Sequence, residues 1–139
     1  MANQQRVPNL QELDEQQAYR FLTELFSNQS REEVYEVNHP DDYTMEMPQS
    51  GEAIRGRENM RRFQEAYPDG PPSFKLRRVL VRDGVWVVEA LYERGGGQVF
   101  DMVMIIELKD GKIWRDRRYY AEPFEAPEWR TQWVERVEF

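Results

Sequence analysis

The segment 97–124 constrains the fold more than any other part of the sequence. Two strand-like runs, 98–108 and 112–120, flank a Lys-Asp-Gly turn at 109–111. Asp-Gly between apolar runs is the strongest short-range signal for a β-hairpin. The sequence therefore predicts that this hairpin forms the centre of a sheet.

Charged residues lie inside this hairpin, although its strands must bury one face. Strand alternation places Asp116, Arg118 and Tyr120 on the same side of the second strand. Asp101 has the opposite phase to Met102, so we expect it on the outer face, paired with an arginine. This same-sided set is the first candidate for a functional site.

Three helices are predicted before the main strands. Apolar residues at spacings of three and four predict a helix that opens at Pro8 or Asn9. Ser30 and Glu33 form a capping-box pattern for a second short helix. A third helix is predicted over roughly 57–67, after Gly56.

Strands are predicted over 42–47, 74–82 and 85–93 in addition to the central hairpin. Helices followed by consecutive strands indicate an α+β domain with helices on one face of a curved sheet. The 139 residues suit a single domain, 1–139, in which 1–8 is a flexible N-terminus.

The C-terminal extension, 122–139, is unusual in carrying two tryptophans. Trp129 and Trp133 are four residues apart and would share one face of a helix that opens at Pro127. Tryptophans are rarely left exposed. We expect this extension to pack on the domain, over the mouth of a pocket, or on a partner subunit.

Composition excludes several classes of protein. The net charge of −7 argues against nucleic-acid and anionic-membrane partners, which require Lys and Arg. Without cysteine there are no disulfides or thiolate zinc sites. His39, the single histidine, is expected to be solvated or to cap a loop, so neither a metal nor a cofactor is assigned. A soluble, cytoplasmic protein is expected.

Several segments carry a family resemblance. The order of elements resembles the nuclear transport factor 2-like superfamily, and five segments are similar to its SnoaL-like branch, named for polyketide cyclases. These segments are 39–43, 47–52, 54–59, 111–113 and 119–124. The resemblance implies a cystatin-like cone, in which a strongly curved antiparallel sheet and three N-terminal helices enclose an apolar cavity.

The resemblance also implies which residues face that cavity. Asp116 and Tyr120 are the implied catalytic candidates, and Arg118 is the implied partner of Asp116. Methionine-rich walls would suit a bulky apolar ligand. The other implied ligand-binding residues are Tyr19, Phe21, Met45, Met47, Trp86, Val88, Phe100, Met102 and Met104.

The resemblance gives little support to a particular reaction. Ketosteroid isomerases of this superfamily place a base and an oxyanion hole at positions occupied here by Met47, Phe21 and Met104, none of which can transfer a proton. Epoxide hydrolases need an Arg-x-Asp pattern on a strand where this chain has 87–91 (VVEAL).

The cyclase branch leaves one acid or base candidate. Arg118 occupies the position of the cyclase aspartate, which leaves Asp116 as the candidate general acid or base. An arginine two residues away favours the ionised carboxylate, so a structural ion pair is the alternative.

Two functions follow from these observations. The first is a small-molecule pocket protein, whose implied enzyme types are cyclase, isomerase and dehydratase. The alternative is a non-catalytic dimerisation or accessory module. Apolar residues on the outer sheet face would mediate a homodimer in either case: Val85, Val87, Leu91, Val103 and Ile105.

Overall fold

A computed structural model describes residues 7–27 and 35–139. The first described elements are a 3-10 turn at Leu10–Glu12 and helix α1 at Glu15–Phe26, and a second helix, α2, spans Arg57–Glu65. The six strands are β1 (Thr44–Met47), β2 (Glu52–Arg55), β3 (Ser73–Arg82), β4 (Val85–Arg94), β5 (Gln98–Lys109) and β6 (Lys112–Ala121).

The strands form one sheet in the order β2-β1-β6-β5-β4-β3. The predicted α+β class and curved sheet are confirmed, but the sheet is mixed because β1 pairs in parallel with β6. β2 was not predicted. Pro48 to Gly51, which looked like the end of a strand, is the loop of a hairpin that pairs Met47 with Glu52.

The predicted hairpin at Asp110-Gly111 forms, and a second Asp-Gly hairpin joins the predicted strands before and after Asp83-Gly84. Asp83 and Asp110 have φ values of 47° and 55°, and each is followed by a glycine with positive φ. Such a pair suits a type I′ turn, whose twist matches that of the flanking strands. Register shifts between Leu76 and Arg78 and between Glu107 and Leu108 mark bulges, and bulges increase the local bend of a sheet.

Helix α1 begins later than predicted. Asn9 caps only the 3-10 turn, by accepting a hydrogen bond from the Gln11 backbone N–H at 3.0 Å. A separate capping box then starts α1: the Asp14 side chain accepts from the Gln17 N–H, and the Gln17 side chain accepts from the Asp14 N–H. The predicted Ser30–Glu33 capping box and the predicted flexibility of 1–6 lie outside the described residues.

The core lies between the helices and the concave face of the sheet. Burial alternates along the strands, as in β4, where Trp86, Val88 and Ala90 are buried. Asp101 lies on the outer face and pairs with an arginine, as predicted: its Oδ1 atom is 3.7 Å from Nη2 of Arg77. Among the described residues, no helix is long and apolar enough to cross a membrane.

Candidate functional site

Strand β6 carries three of the predicted site residues on its inner face. Asp116 and Arg118 are buried, with only 3% and 6% of their surfaces exposed, and Tyr120 is partly buried. Asp116 lies opposite Met45 of β1 and Ile106 of β5, in the middle of the sheet. The two charged residues are therefore deep in the domain.

Asp116 and Arg118 form a buried ion pair through a single carboxylate oxygen. The Arg118 Nη2 and Nε atoms donate to Asp116 Oδ2 at 2.7 and 3.1 Å. Asp116 Oδ1 is buried and makes no hydrogen bond with the described residues. One acceptor of the pair is therefore available to a further donor.

Asp116 and Arg118 line a cavity of about 40 Å³, here called the inner cavity. Gln64 of α2 lines the same cavity, and its Oε1 is also buried without a partner among the described residues. The volume is enough for roughly three water molecules. Two of the residues around this space therefore carry a buried acceptor that no described group satisfies.

Electrostatics in the inner cavity hold its groups in fixed protonation states. Burial disfavours the charge on Arg118, but the attraction of Asp116 raises the pKa of the guanidinium well above its ordinary value. Burial, and then the negative charge of Asp116, raise the pKa of the Tyr43 hydroxyl. Arg118 therefore stays charged, and Tyr43 stays a neutral phenol.

A second, larger space opens at the far end of β6. This open cleft has a volume of about 430 Å³ and an aromatic lining with one arginine and one glutamate. Small-molecule pockets commonly have volumes of 300–1,000 Å³ and a mainly apolar lining. The lining residues are Met47, Phe63, Tyr67, Tyr92, Arg94, Phe100, Tyr120 and Glu122.

Aromatic contacts hold the walls of the open cleft in place. The Tyr92 ring centroid lies 5.0 Å from that of Tyr120 and 5.8 Å from that of Phe100. On the helix side, Phe63 and Tyr67 make an edge contact at 5.2 Å. These tilted and edge-on geometries are the favoured ones for aromatic pairs, so we expect the cleft to keep its shape without a ligand.

The tyrosines of the open cleft are neutral hydrogen-bonding groups. The Tyr92 and Tyr67 hydroxyl oxygens are 3.4 Å apart. Burial is the main cause that raises the pKa of Tyr67, of Tyr92 and of Tyr120. The positive charge of Arg118, two residues earlier on the same face of β6, opposes that change in the pKa of Tyr120.

The predicted site residues divide among these spaces. Asp116, Arg118 and Met104 line the inner cavity, whereas Tyr120, Met47 and Phe100 line the open cleft. Four others are fully buried core residues that line neither space: Met45, Trp86, Val88 and Met102.

Tyr19 and Phe21 lie apart from both spaces. The Tyr19 hydroxyl donates to the Leu76 carbonyl of β3 at 3.1 Å, and 37% of the residue is exposed. Phe21 packs against the core without lining either space. Tyr19 therefore does not supply the hydroxyl that an isomerase-type oxyanion hole would need.

Sequence reasoning missed several lining residues. Tyr92 continues the alternation of Trp86, Val88 and Ala90 by one further step, so the pattern could have found it. Tyr43 likewise alternates with Met45. Gln64 gives no such signal, because a glutamine on a helix is ordinarily a surface residue.

His39 was expected to be solvated or to cap a loop; it is buried, and it caps a loop. Its Nδ1 accepts from the backbone N–H groups of Asp41 and Asp42, both at 3.2 Å. Its Nε2 therefore carries the proton and donates to Asp110 at 2.9 Å. In the described part of the chain, no three His, Asp or Glu residues form a metal-binding group.

The fold and its two spaces define an α+β domain whose helices cover the concave face of a curved sheet. A model of the SnoaL-like domain matches residues 18–116. The chain therefore belongs to the SnoaL-like domain family, as its sequence segments predicted. No curated protein sequence matches it.

Solved structures share this fold over most of their length. An NTF-2 like protein of unknown function from Burkholderia xenovorans LB400 is 30% identical, with a TM-score of 0.73 over 88% of this chain and 94% of that one. A candidate ketosteroid isomerase from Kribbella flavida DSM 17836 is 27% identical, with a TM-score of 0.77 over 87% of each chain.

A more distant structure shows the fold alone. It is a candidate SnoaL-like polyketide cyclase from Jannaschia sp. CCS1, 14% identical, with a TM-score of 0.60 over 86% of this chain and 91% of that one.

Proposed function

We propose that this chain binds a small, largely apolar molecule in the open cleft. The observation that carries the proposal is the cleft itself, with its volume of about 430 Å³ and its mainly aromatic and methionine lining. Met47 adds a flexible, polarisable surface that adapts to ligand shape. The walls suit a planar or polycyclic body.

The polar groups of the cleft indicate the ligand's chemistry. Tyr67, Tyr92 and Tyr120 remain protonated at neutral pH, because burial raises the pKa of each hydroxyl. Neutral phenols donate hydrogen bonds, and Arg94 adds a positive charge at the rim. A carbonyl, ether or acidic group on the ligand would therefore be recognised here.

The buried ion pair supports this cleft from behind. Arg118 lies two residues before Tyr120 on the same face of β6, and its positive charge acts to lower the pKa of the Tyr120 hydroxyl. Arg118 itself is fixed by its two hydrogen bonds to Asp116. We propose that the pair positions Tyr120 and that the ligand does not contact Asp116.

Fluorescence titration with the apolar, anionic dye 8-anilinonaphthalene-1-sulfonate tests the proposal. Phe100→Glu places a charge in the cleft, and Val99→Glu places the same charge on the adjacent, solvent-exposed residue. We expect the wild type and Val99→Glu to bind the dye alike, and Phe100→Glu to bind it at least about tenfold more weakly. Equal binding by the two variants would contradict the proposal.

Catalysis at Asp116 is a second candidate function. The observation that favours it is the unpaired Oδ1 atom of Asp116, a residue that lines the inner cavity together with Gln64 and Tyr43. A carboxylate oxygen in that position could accept a proton from a bound group. Asp116→Asn in a turnover assay on an identified ligand tests this role, and unchanged turnover would exclude it.

Ketosteroid isomerisation is not proposed, although a relative is described as a candidate for that activity. Met47 and Met104 occupy the positions of the base and of the protonated acid, and methionine can perform neither function. Among the described residues that line the open cleft, Glu122 is the one carboxylate.

A further inference from the structure

The loop of the β1–β2 hairpin, residues 48–51, contacts the strand that carries one wall of the open cleft. The Gln49 side-chain Oε1 accepts a hydrogen bond from the Tyr120 backbone N–H at 2.5 Å. Tyr120 lines the open cleft, whereas Gln49 is exposed and is not one of the lining residues. A residue outside the cleft is therefore bonded to the backbone of a residue inside it.

Strand β6 has a use for this bond because its two sides are paired over different lengths. Its antiparallel pairing with β5 continues to Ala121, whereas its parallel pairing with β1 ends at Arg117. The last part of β6, 118–121, is thus paired with a strand on one side only. Backbone N–H groups on the other side need a side chain or water as acceptor, and Tyr120 lies in this part.

Gln49 has the register that such an acceptor needs. The pairing of β1 with β6 places Thr44 opposite Arg115 and Glu46 opposite Arg117, and the same spacing of 71 residues separates Gln49 from Tyr120. The backbone has turned away from β6 before it reaches Gln49. The side-chain amide oxygen therefore takes the place that a backbone carbonyl of β1 would occupy in a longer ladder.

Hydrogen bonds within the loop hold the support of Gln49 in one shape. The Met47 carbonyl accepts from the backbone N–H groups of Ser50 and Gly51, at 3.3 and 3.0 Å. The Ser50 hydroxyl also donates to the Glu52 carboxylate at 2.6 Å. Gln49 therefore extends from a short turn with its own internal hydrogen bonds.

The same loop joins two walls of the open cleft. Met47, directly before the loop, lines the cleft from β1, and Tyr120 lines it from β6. The Tyr120 ring contacts the ring of Tyr92, which in turn contacts Phe100. A shift of the Tyr120 backbone would therefore change the spacing of the walls and the packing of the aromatic lining.

We propose that Gln49 is a positioning residue for ligand binding in the open cleft. Its amide oxygen holds the backbone of β6 at Tyr120, which sets the place of the phenol and its distance from Met47. The ligand itself does not contact Gln49. This inference rests on the proposed function, because it concerns the same cleft, and it adds a residue that acts on the cleft from outside.

Fluorescence titration with the neutral dye N-phenyl-1-naphthylamine tests this role without a charge on the probe. Gln49→Met keeps the length of the side chain and removes the acceptor, so it should raise the Kd about three- to tenfold. Gln49→Glu keeps an acceptor oxygen and should stay within about twofold of the wild type. Gln16→Met, the same change at an exposed position of α1, is the matched control and should bind as the wild type.

Backbone hydrogen exchange measured by NMR separates positioning from a purely structural contribution. The Tyr120 amide should exchange faster in Gln49→Met and at the wild-type rate in Gln49→Glu, with the other amides of β6 unchanged. Faster exchange with unchanged dye affinity would overturn the proposal, because the bond would then have only a structural role. Unchanged exchange in Gln49→Met, or an equal loss of affinity in both Gln49 variants, would overturn it too.

Phe100→Glu distinguishes failure of this inference from failure of the proposed function, because it places a charge in the cleft itself. If Phe100→Glu binds the neutral dye as tightly as the wild type, the dye does not occupy the cleft, and both proposals fail. If Phe100→Glu loses binding and Gln49→Met does not, the cleft binds the dye and the positioning role of Gln49 alone is wrong.

Discussion

The inner cavity and the open cleft lie on the same sheet and share strand β6, yet they treat polar groups in opposite ways. In the inner cavity, Asp116 and Arg118 are withdrawn from water and depend on each other. In the open cleft, tyrosine hydroxyls and one arginine remain within reach of solvent. The inner cavity, at the closed end of β6, keeps a charged pair away from solvent. The open cleft, at the other end, leaves its polar groups accessible to a ligand.

Strand alternation alone does not distinguish the candidate acid or base, Asp116, from the candidate ligand contact, Tyr120, but this contrast does. Asp116 and Tyr120 point to the same face of β6, but only Tyr120 lines the space large enough for a ligand. Asp116, the candidate acid or base, is thus less accessible to a ligand than Tyr120. The following predictions test each end of β6 separately, from the largest expected effect to the smallest.

The largest effect is expected at the closed end. Arg118→Met leaves Asp116 buried without its partner and should lower the free energy of unfolding by about 3–5 kcal/mol. Arg117→Met is the matched control, since Arg117 pairs with Glu46 at 2.8 Å on the exposed face. Arg117→Met should lower the free energy of unfolding by about 1 kcal/mol or less. Urea denaturation measures both, and equal losses would mean that the buried pair has no special role.

A smaller effect is expected at alkaline pH. Burial raises the pKa of Tyr43, so the folded state keeps a proton that the unfolded state releases above pH about 10. Stability from this group is complete below that pH and is lost as pH rises above it. We expect a loss of about 1–2 kcal/mol by about pH 11.

Urea denaturation of two variants assigns this alkaline loss. Tyr43→Phe should reduce the loss between neutral pH and about pH 11, whereas Tyr119→Phe, on the exposed face, should leave it unchanged. The same alkaline loss in all three proteins would show that Tyr43 is not protected from ionisation.

The smallest effect is expected at Gln64. Gln64→Met keeps the side-chain length and removes an acceptor that no described group satisfies. Its effect on the free energy of unfolding should be within about 1 kcal/mol and can be stabilising. Met60→Ala, one turn earlier on the same buried helix face, should cost about 2–5 kcal/mol. A loss above 2 kcal/mol at Gln64 would show that its Oε1 accepts an essential hydrogen bond.

Much of the fold was predictable because local signals agreed with one another. Asp83-Gly84 and Asp110-Gly111 fixed two hairpins through backbone geometry that few other residue pairs adopt. Period-two alternation along β6 then placed Asp116, Arg118 and Tyr120 on one face, and the family resemblance implied that this face is the inner one. These features depend on neighbours in sequence, which a single chain reveals.

Other features were not predicted, because the local signals allowed more than one structure. The pairing of β2 with β1 follows from a loop that the Pro48 to Gly51 sequence did not distinguish from a strand end. The start of α1 depended on which of two caps, Asn9 or Asp14, opened the longer helix. The family resemblance implied one apolar cavity, whereas the described residues line two spaces with no lining residue in common.

The most direct test of the central claim is a high-resolution crystal structure of the protein purified from its native host without added ligand. Binding in the open cleft predicts ordered density between Tyr92, Phe100 and Tyr120 that protein atoms do not explain, with a polar group near the phenols. A cleft closed by its own Met47 and Phe100 side chains would contradict the claim.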